Sequence, residues 1–523
     1  MIAQIAILKP YAELPPRTLI RHAIKWQVIG LLLLVCHVVL TKQSLALAWI
    51  MPVVLAALYY KAPLAGLIVL FQLLIYQNWV IAMFSVDMQV VSFEILRGTN
   101  FAGLFGLAAI ASARITLPIW DNERHIHQIL RVVALAFVCA IGYWILGTVR
   151  SGPQSAAVYF REFFGPVLAV VVGLDVGRVW GFRTIATSLL VCIVASVVVA
   201  LIEISIPMDY YAWINAADFS NLKTHNTLYR SKLYGAAGVI DMNTSTFFNV
   251  SGDSDFSNHS FRFSSTIMHS ISYGYVLAIT SFLVITLRRS YWLLLTIPLS
   301  AAIGVKGAAL LVVCVLALWI VWMSSRSAMM LIISGLILMT AYIGAGLIHG
   351  MQVQDYHVQG FLGGWQGFLQ NPLGRGLGVG GNLSSTAATG FHWEGAGGFQ
   401  SAGVAFAVES AVGVLLYQMG IGALTIFAVF MVLVKNAPFL KSLRIRPQRS
   451  DLWYIAVPMV MVNGVFQEEA YAPTAAGLIL LLCAVLIING QRKGVVLTAQ
   501  AKQLMRQQRR VPLTPKPKMA LEV

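Results

Sequence analysis

Long apolar runs follow one another along almost the whole chain, and they constrain its fold more than any other feature. A helix that crosses a bilayer needs about 20 apolar residues. Lipid offers no partners to backbone N–H and C=O groups, so uninterrupted apolar runs in a membrane must be helical. We therefore predict an all-α, polytopic membrane helix bundle with about 12–14 transmembrane helices. The runs lie at residues 27–41, 45–60, 62–84, 101–118, 129–149, 163–181, 184–206, 266–287, 290–304, 307–324, 328–349, 404–434, 452–467 and 472–489.

The composition agrees with a membrane protein. Hydrophobic residues make up 58% of the 523-residue chain and charged residues only 11%, whereas a soluble protein carries about 25% charged residues. All five cysteines lie inside apolar runs, so we expect neither a disulfide framework nor a cysteine metal site. The sequence contains none of the P-loop, HExxH, GxSxG and CxxC motifs of common soluble enzymes.

The distribution of Lys and Arg indicates which ends of the runs face the cytoplasm. If both termini are cytoplasmic, the inward segments carry 26 of the 36 Lys and Arg residues, and the outward segments carry ten. Cytoplasmic loops carry such an excess of positive residues. The formal net charge of +16 therefore indicates topology and contact with membrane lipid, and we predict no nucleic-acid partner.

This orientation divides the chain into three parts. Residues 1–26 are predicted to form a cytoplasmic N-terminal segment, residues 27–490 the transmembrane domain, and residues 491–523 a basic cytoplasmic tail. Two large polar loops, about 207–265 and 350–403, are predicted to lie outside the membrane on the opposite side.

Cations at the outer ends of helices are candidates for binding an anion. Four of them lie at or near such an end: Arg161, Arg262, Lys306 and Arg375. Each alone fits a structural role, because Lys and Arg reach from helix ends toward the membrane interface. Together they fit a diphosphate held beside the membrane, because guanidinium groups match phosphate oxygens bidentately.

A Gly-rich stretch in the second outer loop is a candidate substrate loop. Its candidate residues are Asn371, Gly374, Gly376, Gly378 and Asn382. Glycines at this density permit a tight turn with close helix packing. They also permit a loop whose exposed backbone N–H groups approach an anion, and the sequence leaves both interpretations open.

Five short stretches together resemble the O-antigen ligase and polysaccharide polymerase superfamily of integral membrane glycosyltransferases. In chain order they are 160–166 (FREFFGP), 262–266 (RFSST), 371–382 (NPLGRGLGVGGN), 409–420 (ESAVGVLLYQMG) and 466–470 (FQEEA). Each motif is degenerate, so the resemblance depends on their order on a frame of many helices. It covers about 155–490.

The resemblance implies a GT-C-like bundle in a bacterial inner (plasma) membrane, with the active face periplasmic. The implied donor is a glycan on undecaprenyl diphosphate, delivered by a flippase. A hydroxyl group of an acceptor glycan attacks the anomeric carbon, and the lipid diphosphate leaves. The resemblance implies no metal and no cofactor, and it implies a chain-length regulator as a further partner.

Two outward-facing residues are candidate catalytic bases for this reaction, His392 and Glu409. Fixed cations would stabilise the leaving diphosphate, and a base must take the hydroxyl proton. His392 lies in the loop and titrates near neutral pH. Glu409 opens an apolar helix, whose dipole favours the carboxylate and weakens it as a base. We therefore expect His392 to be the base and Glu409 to bind a sugar hydroxyl, although surface, packing or dipole roles remain open for both.

Three functions remain open. The Glu-Ser-Ala-x-Gly start at Glu409, the long Asn/Ser-rich loop and the absence of the His that ligases carry near this position favour a polysaccharide polymerase. The alternatives are an O-antigen ligase, which transfers glycan to lipid A core, and a glycolipid transporter or flippase. A transporter predicts an internal repeat and charges within the spans, whereas only Asp175 and Arg178 interrupt the spans here.

Overall fold

The computed structural model describes residues 14–116, 124–224, 230–246, 259–352, 355–381, 383, 409–437, 440 and 447–490. Helices dominate this part of the chain. In order they are α1 (Pro16–Gln43), α2 (Ile50–Lys61), α3 (Pro63–Met83), α4 (Val90–Thr116), α5 (Arg124–Ser151), α6 (Pro153–Val179), α7 (Phe182–Ser205), α8 (Pro207–Trp213), α9 (Ala216–Thr224), α10 (Arg230–Met242), α11 (Ser270–Thr286), α12 (Leu293–Ala302), α13 (Lys306–Ser325), α14 (Ala328–Gln352), α15 (Tyr356–Gln370), α16 (Ala411–Met419), α17 (Ala423–Lys435), α18 (Leu452–Asn463) and α19 (Glu468–Gly490).

The prediction of an all-α, polytopic membrane bundle is confirmed. Within the described residues, ten helices are long and apolar enough to cross a membrane, with α16 and α17 counted as one span, Ala411–Lys435. Three shorter apolar helices accompany them, at Leu45–Lys61, Ser270–Thr286 and Ser290–Ala302. The strands in this part of the chain form one small hairpin, β1 (Thr244–Thr246) and β2 (His259–Phe261), which pair antiparallel.

Contacts at both ends of α4 and α6 show that these helices run parallel. Near their first residues, Arg161 Nη1 donates to the carbonyl oxygen of Arg97 at 3.3 Å. Near their last residues, Arg114 Nη1 lies 3.2 Å from Asp175 Oδ2. We call the end of the bundle that holds Arg97 and Arg161 the charged end, and the end that holds Arg114 and Asp175 the opposite end.

The helix ends that the sequence assigns to one side of the membrane meet at one end of the bundle. Lys42, in the last turn of α1, donates to the carbonyl of Val86, after α3, at the charged end. Asn489, near the end of α19, accepts from the N–H of Phe182 at 2.7 Å, at the opposite end. The structure holds no membrane, so which end faces the periplasm stays a prediction.

Small residues permit the close crossing of α6 and α19 in the core. A Cβ atom on Gly173 would lie 2.4 Å from the carbonyl oxygen of Leu481, and one on Gly177 would lie 3.0 Å from the Cα of Val485. Membrane helices approach closely where such residues face one another. The core of the bundle is therefore tight where the two helices cross.

The described residues of the predicted first outer loop form a compact cap on the charged end. Helices α8–α10 and the β hairpin bury a small apolar cluster of their own, in which Tyr210 and Tyr211 are 2% and 1% exposed. Residues 225–229 and 247–258 of this loop lie outside the described part. The hairpin leads directly into the segment that contains Arg262.

Candidate functional site

Two of the predicted cations meet at the charged end. The backbone N–H of Arg262 donates to Asn243 O at 2.9 Å, which extends the hairpin by one residue. The Arg262 guanidinium then donates from Nη2 to the carbonyl of Gly304 at 3.4 Å. Gly304 precedes Lys306, the first residue of α13, by two positions. Arg262 and Lys306 therefore come together from separate loops, as the diphosphate hypothesis requires.

Asp355 fixes the position of Lys306. Its Oδ2 lies 3.3 Å from Lys306 Nζ, and its Oδ1 accepts from the N–H of His357 at 2.8 Å, which caps the start of α15. A cation at the N-terminus of a helix is disfavoured by the helix dipole. The carboxylate offsets this cost for Lys306 and ties α13 to α15.

His357 connects this pair of cations to Glu409. Its Nδ1 lies 3.3 Å from the backbone carbonyl oxygen of Glu409 and 3.5 Å from the Glu409 side-chain atom Oε2. Burial lowers the pKa of His357, while Asp355 acts in the opposite direction. The imidazole is therefore neutral near pH 7, and a proton on Nδ1 makes it a donor to Glu409.

Glu409 adopts a strained backbone conformation. Its φ of 55° lies in the left-handed region, which a residue with a Cβ adopts at a cost of about 1–2 kcal/mol. The next residue, Ser410, is fully buried and accepts from the N–H of Gly413 at 3.0 Å to cap α16. The N–H of Val412 donates to Gly464 O at 3.0 Å. These contacts hold the Glu409 carboxylate at the charged end.

A buried polar network lies beneath Lys306. Tyr275 Oη donates to Gln467 Oε1 at 2.8 Å, and Asn463 Nδ2 donates to Tyr275 Oη at 2.8 Å and to Gly307 O at 3.0 Å. A Cβ atom on Gly307 would lie 2.3 Å from Gln467 Oε1. A glycine after Lys306 thus allows three helices to approach the cation from below.

The buried carboxylate of Glu203 anchors the segment that leads from Arg262 into α11. Glu203 is fully buried and accepts from the backbone N–H groups of Ser264 and Ser265 at 2.8 and 2.5 Å. The hydroxyl of Tyr211 donates to it at 2.6 Å. The hydroxyl of Ser264 donates as well, at 3.3 Å. These four hydrogen bonds satisfy the carboxylate without a cation, so Glu203 fixes the path of the backbone beside Arg262.

A second group of charged residues surrounds a third predicted cation, Arg161. Its neighbour Glu162 is half-buried, and Arg97 pairs with Glu94 at 3.2 Å. Glu468 lies within electrostatic range of Glu162 and Glu409 and therefore connects the two groups. Glu468 is 4% exposed, and its Oε1 has no hydrogen-bond partner among the described residues.

Arg375 occupies a different place from Arg262 and Lys306. Its guanidinium donates to Gly367 O at 2.8 Å and lies 4.1 Å from the ring centroid of Tyr417. Gly367 follows His357 by ten residues on α15, which places the two about 15 Å apart along the helix axis. The structure thus assigns Arg375 contacts that hold α15 against α16, and it does not bring Arg375 to the other cations.

The described residues of the glycine loop pack closely against neighbouring helices. A Cβ on Gly376 would lie 2.5 Å from the N of Gly147, and one on Gly378 would lie 2.6 Å from the N of Ala156. The loop N–H groups are used internally, since those of Arg375 and Gly376 donate to Gln418 O at 2.9 and 2.8 Å. The tight-turn interpretation describes residues 374–381 better than an anion-binding loop.

Of the other loop candidates, Asn371 lies within the described chain, whereas Asn382 and His392 do not. Asn371 ends α15, and its carbonyl accepts from the N–H of Gly374 at 2.9 Å. Asn382 and His392 lie outside the described residues. Their proposed roles stay predictions.

Four residues of this region are not among the site residues that the sequence predicts: Asp355, His357, Glu203 and Glu468. Asp355 and His357 carry a local signal, an N-cap residue followed two positions later by His, at the start of a helix. Glu468 lies in the FQEEA stretch. Glu203 sits at the end of an apolar run, where only its tertiary partners show its role.

Comparison of the chain with protein-family models, with curated proteins and with solved structures gave no match. The superfamily resemblance and the activity that it implies therefore depend on the motifs and on the geometry of the charged end alone.

Proposed function

We propose that this protein is a bacterial inner-membrane polysaccharide polymerase, which joins undecaprenyl-diphosphate-linked oligosaccharide repeats on the periplasmic side. The product would be an exopolysaccharide, a capsule or an O-antigen. The observation that carries the proposal is the convergence of Arg262 and Lys306 with the His357–Glu409 pair at one end of an apolar bundle.

The location of this group fits a substrate with a lipid tail and a charged head. The cations stand at helix ends, where a membrane-embedded lipid presents its diphosphate. Three helices also begin here, at Lys306, Tyr356 and Ala411, and the N-terminus of each helix carries a partial positive charge of about +0.5. Fixed cations and helix N-termini together favour a dianionic group.

The proposed reaction needs these groups in separate roles. The acceptor hydroxyl oxygen forms a bond to the anomeric carbon, and the bond from that carbon to the diphosphate oxygen breaks with its electron pair. Arg262 and Lys306 would stabilise the charge that develops on the diphosphate. The hydroxyl proton would pass to His392 or Glu409. The flippase would deliver the donor before this step, and the chain-length regulator would act together with the polymerase.

The charged residue Asp175 within a membrane span has contacts that do not require the protein to be a transporter. Asp175 accepts from Tyr59 Oη at 2.8 Å and from Arg114 at 3.2 Å, so it ties α2, α4 and α6 together near the opposite end. A static contact of this kind fits a structural role. Glu468, whose Oε1 has no hydrogen-bond partner among the described residues, lies instead at the charged end.

The test is a gene-deletion strain analysed for polymer and for lipid-linked repeats, followed by turnover of the purified protein on a lipid-linked repeat. We expect the strain to lose polymer and to accumulate single repeats. Loss of lipid A-linked glycan with normal free polymer would instead identify a ligase. Accumulation of repeats on the cytoplasmic leaflet would identify a flippase and would contradict the proposal.

A further inference from the structure

Two arginines lie over one tryptophan at the opposite end of the bundle, and a third, Arg288, lies within electrostatic range of Arg449. Arg326 Cζ lies 3.9 Å from the ring centroid of Trp322, and Arg449 Cζ lies 5.1 Å from the same centroid. Partial burial and the positive charges of Arg288 and Arg326 lower the pKa of Arg449. We call Arg288, Arg326 and Arg449 the arginine cluster.

The tryptophan gives the cluster a fixed frame. Trp322 is 4% exposed, and its indole N–H donates to the carbonyl of Pro447 at 2.8 Å. Arg449 Nη1 also donates to the carbonyl of Ile285, in the last turn of α11, at 3.4 Å. Contacts with the ends of α11 and α13 therefore hold these guanidinium groups in place.

The cluster carries a positive charge that its neighbours do not balance. No ion pair among the described residues includes any of the three arginines. Asp451 is the acidic residue beside Arg449, and its Oδ2 accepts from the N–H of Gln448 at 2.6 Å. The C-termini of α11 and α13 supply about −0.5 each. With Asp451 counted as well, a net positive charge remains, and the adjacent Arg289 adds to it.

Backbone conformation shows that two of these positions hold a cation where glycine would fit at lower cost. Arg288 and Arg326 have φ values of 59° and 50°. Helices commonly end with a residue in this left-handed region, and glycine adopts it without a Cβ clash. At these two positions a cationic side chain therefore stands on a backbone conformation that favours glycine.

Exposed apolar side chains lie within two helical turns of Arg326. Ile320 and Met323 on α13 are 56% and 44% exposed, and Met329 at the start of α14 is 50% exposed. Apolar surface for acyl chains is therefore available near the guanidinium groups at these helix ends.

We propose that the arginine cluster binds the phosphodiester headgroup of an anionic phospholipid in the leaflet at the opposite end. Guanidinium groups bind phosphate oxygens bidentately, and basic pockets between membrane helices bind anionic headgroups. The net positive charge of the cluster favours the negative charge of a phosphodiester. The acyl chains lie along the exposed apolar side chains of α13 and α14.

The experiment measures lipid-dependent stabilisation of the full-length protein in neutral detergent. The probes are phosphatidylglycerol in mixed micelles, phosphatidylcholine in the same micelles, and inorganic phosphate. We expect phosphatidylglycerol alone to raise the midpoint of thermal unfolding of the wild-type protein. In the double variant Arg326→Gln/Arg449→Gln, its apparent affinity should fall about tenfold to thirtyfold.

The matched control is Arg17→Gln/Arg21→Gln, which removes two exposed arginines near the start of α1 at the same end. It should keep the wild-type affinity for phosphatidylglycerol. Equal affinity in the cluster variant, an equal loss in the control, or equal stabilisation by inorganic phosphate would overturn the proposal. If the double variant does not fold, Arg326→Lys keeps the charge without the planar fork, and a wild-type affinity there would overturn it as well.

Discussion

The Nδ1 atom of His357 lies between two oxygens of Glu409, 3.3 Å from its carbonyl and 3.5 Å from its carboxylate. The two residues are 52 positions apart in the chain. The neutral imidazole donates to the backbone carbonyl of Glu409 and so holds that residue in place, with the carboxylate beside the ring. A carboxylate fixed in this way fits the expected binding role for Glu409.

The identity of the base leads to the first prediction. We expect His392→Ala to lower turnover on a lipid-linked repeat by about a hundred- to ten-thousand-fold at saturating substrate, because general-base assistance is lost. Glu409→Gln keeps the side-chain shape and should raise KM more than it lowers kcat. If His392→Ala keeps more than about a tenth of the wild-type rate while Glu409→Gln is inactive, the carboxylate is the base.

The second prediction separates the two arginines of the outer loops. Arg262→Ala should abolish polymer while the protein stays folded in the membrane, because Arg262 stands beside Lys306. Arg375→Ala should instead destabilise the protein by about 2 kcal/mol, through loss of the contacts with Tyr417 and Gly367. Polymer yield and thermal midpoint are measured on the same preparations. Full activity of Arg262→Ala would remove it from the diphosphate site.

The third prediction concerns the glycine beneath Lys306. In Gly307→Ala the new methyl group would lie 2.3 Å from Gln467 Oε1 and 2.7 Å from Asn463 Oδ1. We expect a loss of about 1–3 kcal/mol of stability and a weaker apparent affinity for the donor. Gly142→Ala is the control, because a Cβ there meets nothing within 4 Å. Equal midpoints for the two variants would contradict the proposed packing.

The fourth prediction is a pH dependence that arises from His269. Its Nδ1 accepts from the N–H of Ser272 and caps α11. Burial, Lys223 and Arg97 lower its pKa to about 3 from 6.5. The folded state thus favours the neutral ring. Its contribution to the free energy of unfolding is complete above about pH 6.5. Below that pH the contribution declines, by at most about 1.4 kcal/mol per pH unit.

His269→Asn tests this assignment, since Asn caps a helix without titrating. Between pH 7 and pH 5 the thermal midpoint of the wild-type protein should fall more than that of the variant. Other groups, His357 among them, titrate in both proteins, so the difference between the two curves isolates His269. Parallel curves would show that His269 does not titrate as described.

The fifth prediction concerns orientation. In a cysteine-free background, Asp87→Cys at the charged end should react with an impermeant thiol reagent in intact spheroplasts. Gln448→Cys at the opposite end should react only after the membrane is opened. Both positions are exposed. The expectation comes from the 26-to-10 division of Lys and Arg, and the reverse pattern of labelling would invert the topology.

The sequence by itself determined the class of fold and the approximate positions of the apolar spans. It did not fix the helix ends, since α1 begins at Pro16 and α4 at Val90, whereas the predicted runs begin at 27 and 101. An apolar run marks only the part of a helix that lies in lipid. Apolar runs of membrane length must form helices in lipid, because their backbone N–H and C=O groups must form hydrogen bonds within the segment. This rule is local, so it holds without knowledge of neighbouring helices. The apolar spans and the positions of Lys306 and Glu409 at helix starts could be predicted for that reason.

Only the tertiary structure decided which charged residues meet. Lys306 pairs with Asp355 across 49 positions, and Arg262 reaches Gly304 across 42. Arg375 looked equivalent to Arg262 in the sequence, yet it packs on Tyr417. Glu203 looked like the polar end of a span, yet it holds the backbone of Ser264 and Ser265. Such partners depend on helix direction and crossing, which arise from close packing over the whole bundle and leave no local pattern in the chain.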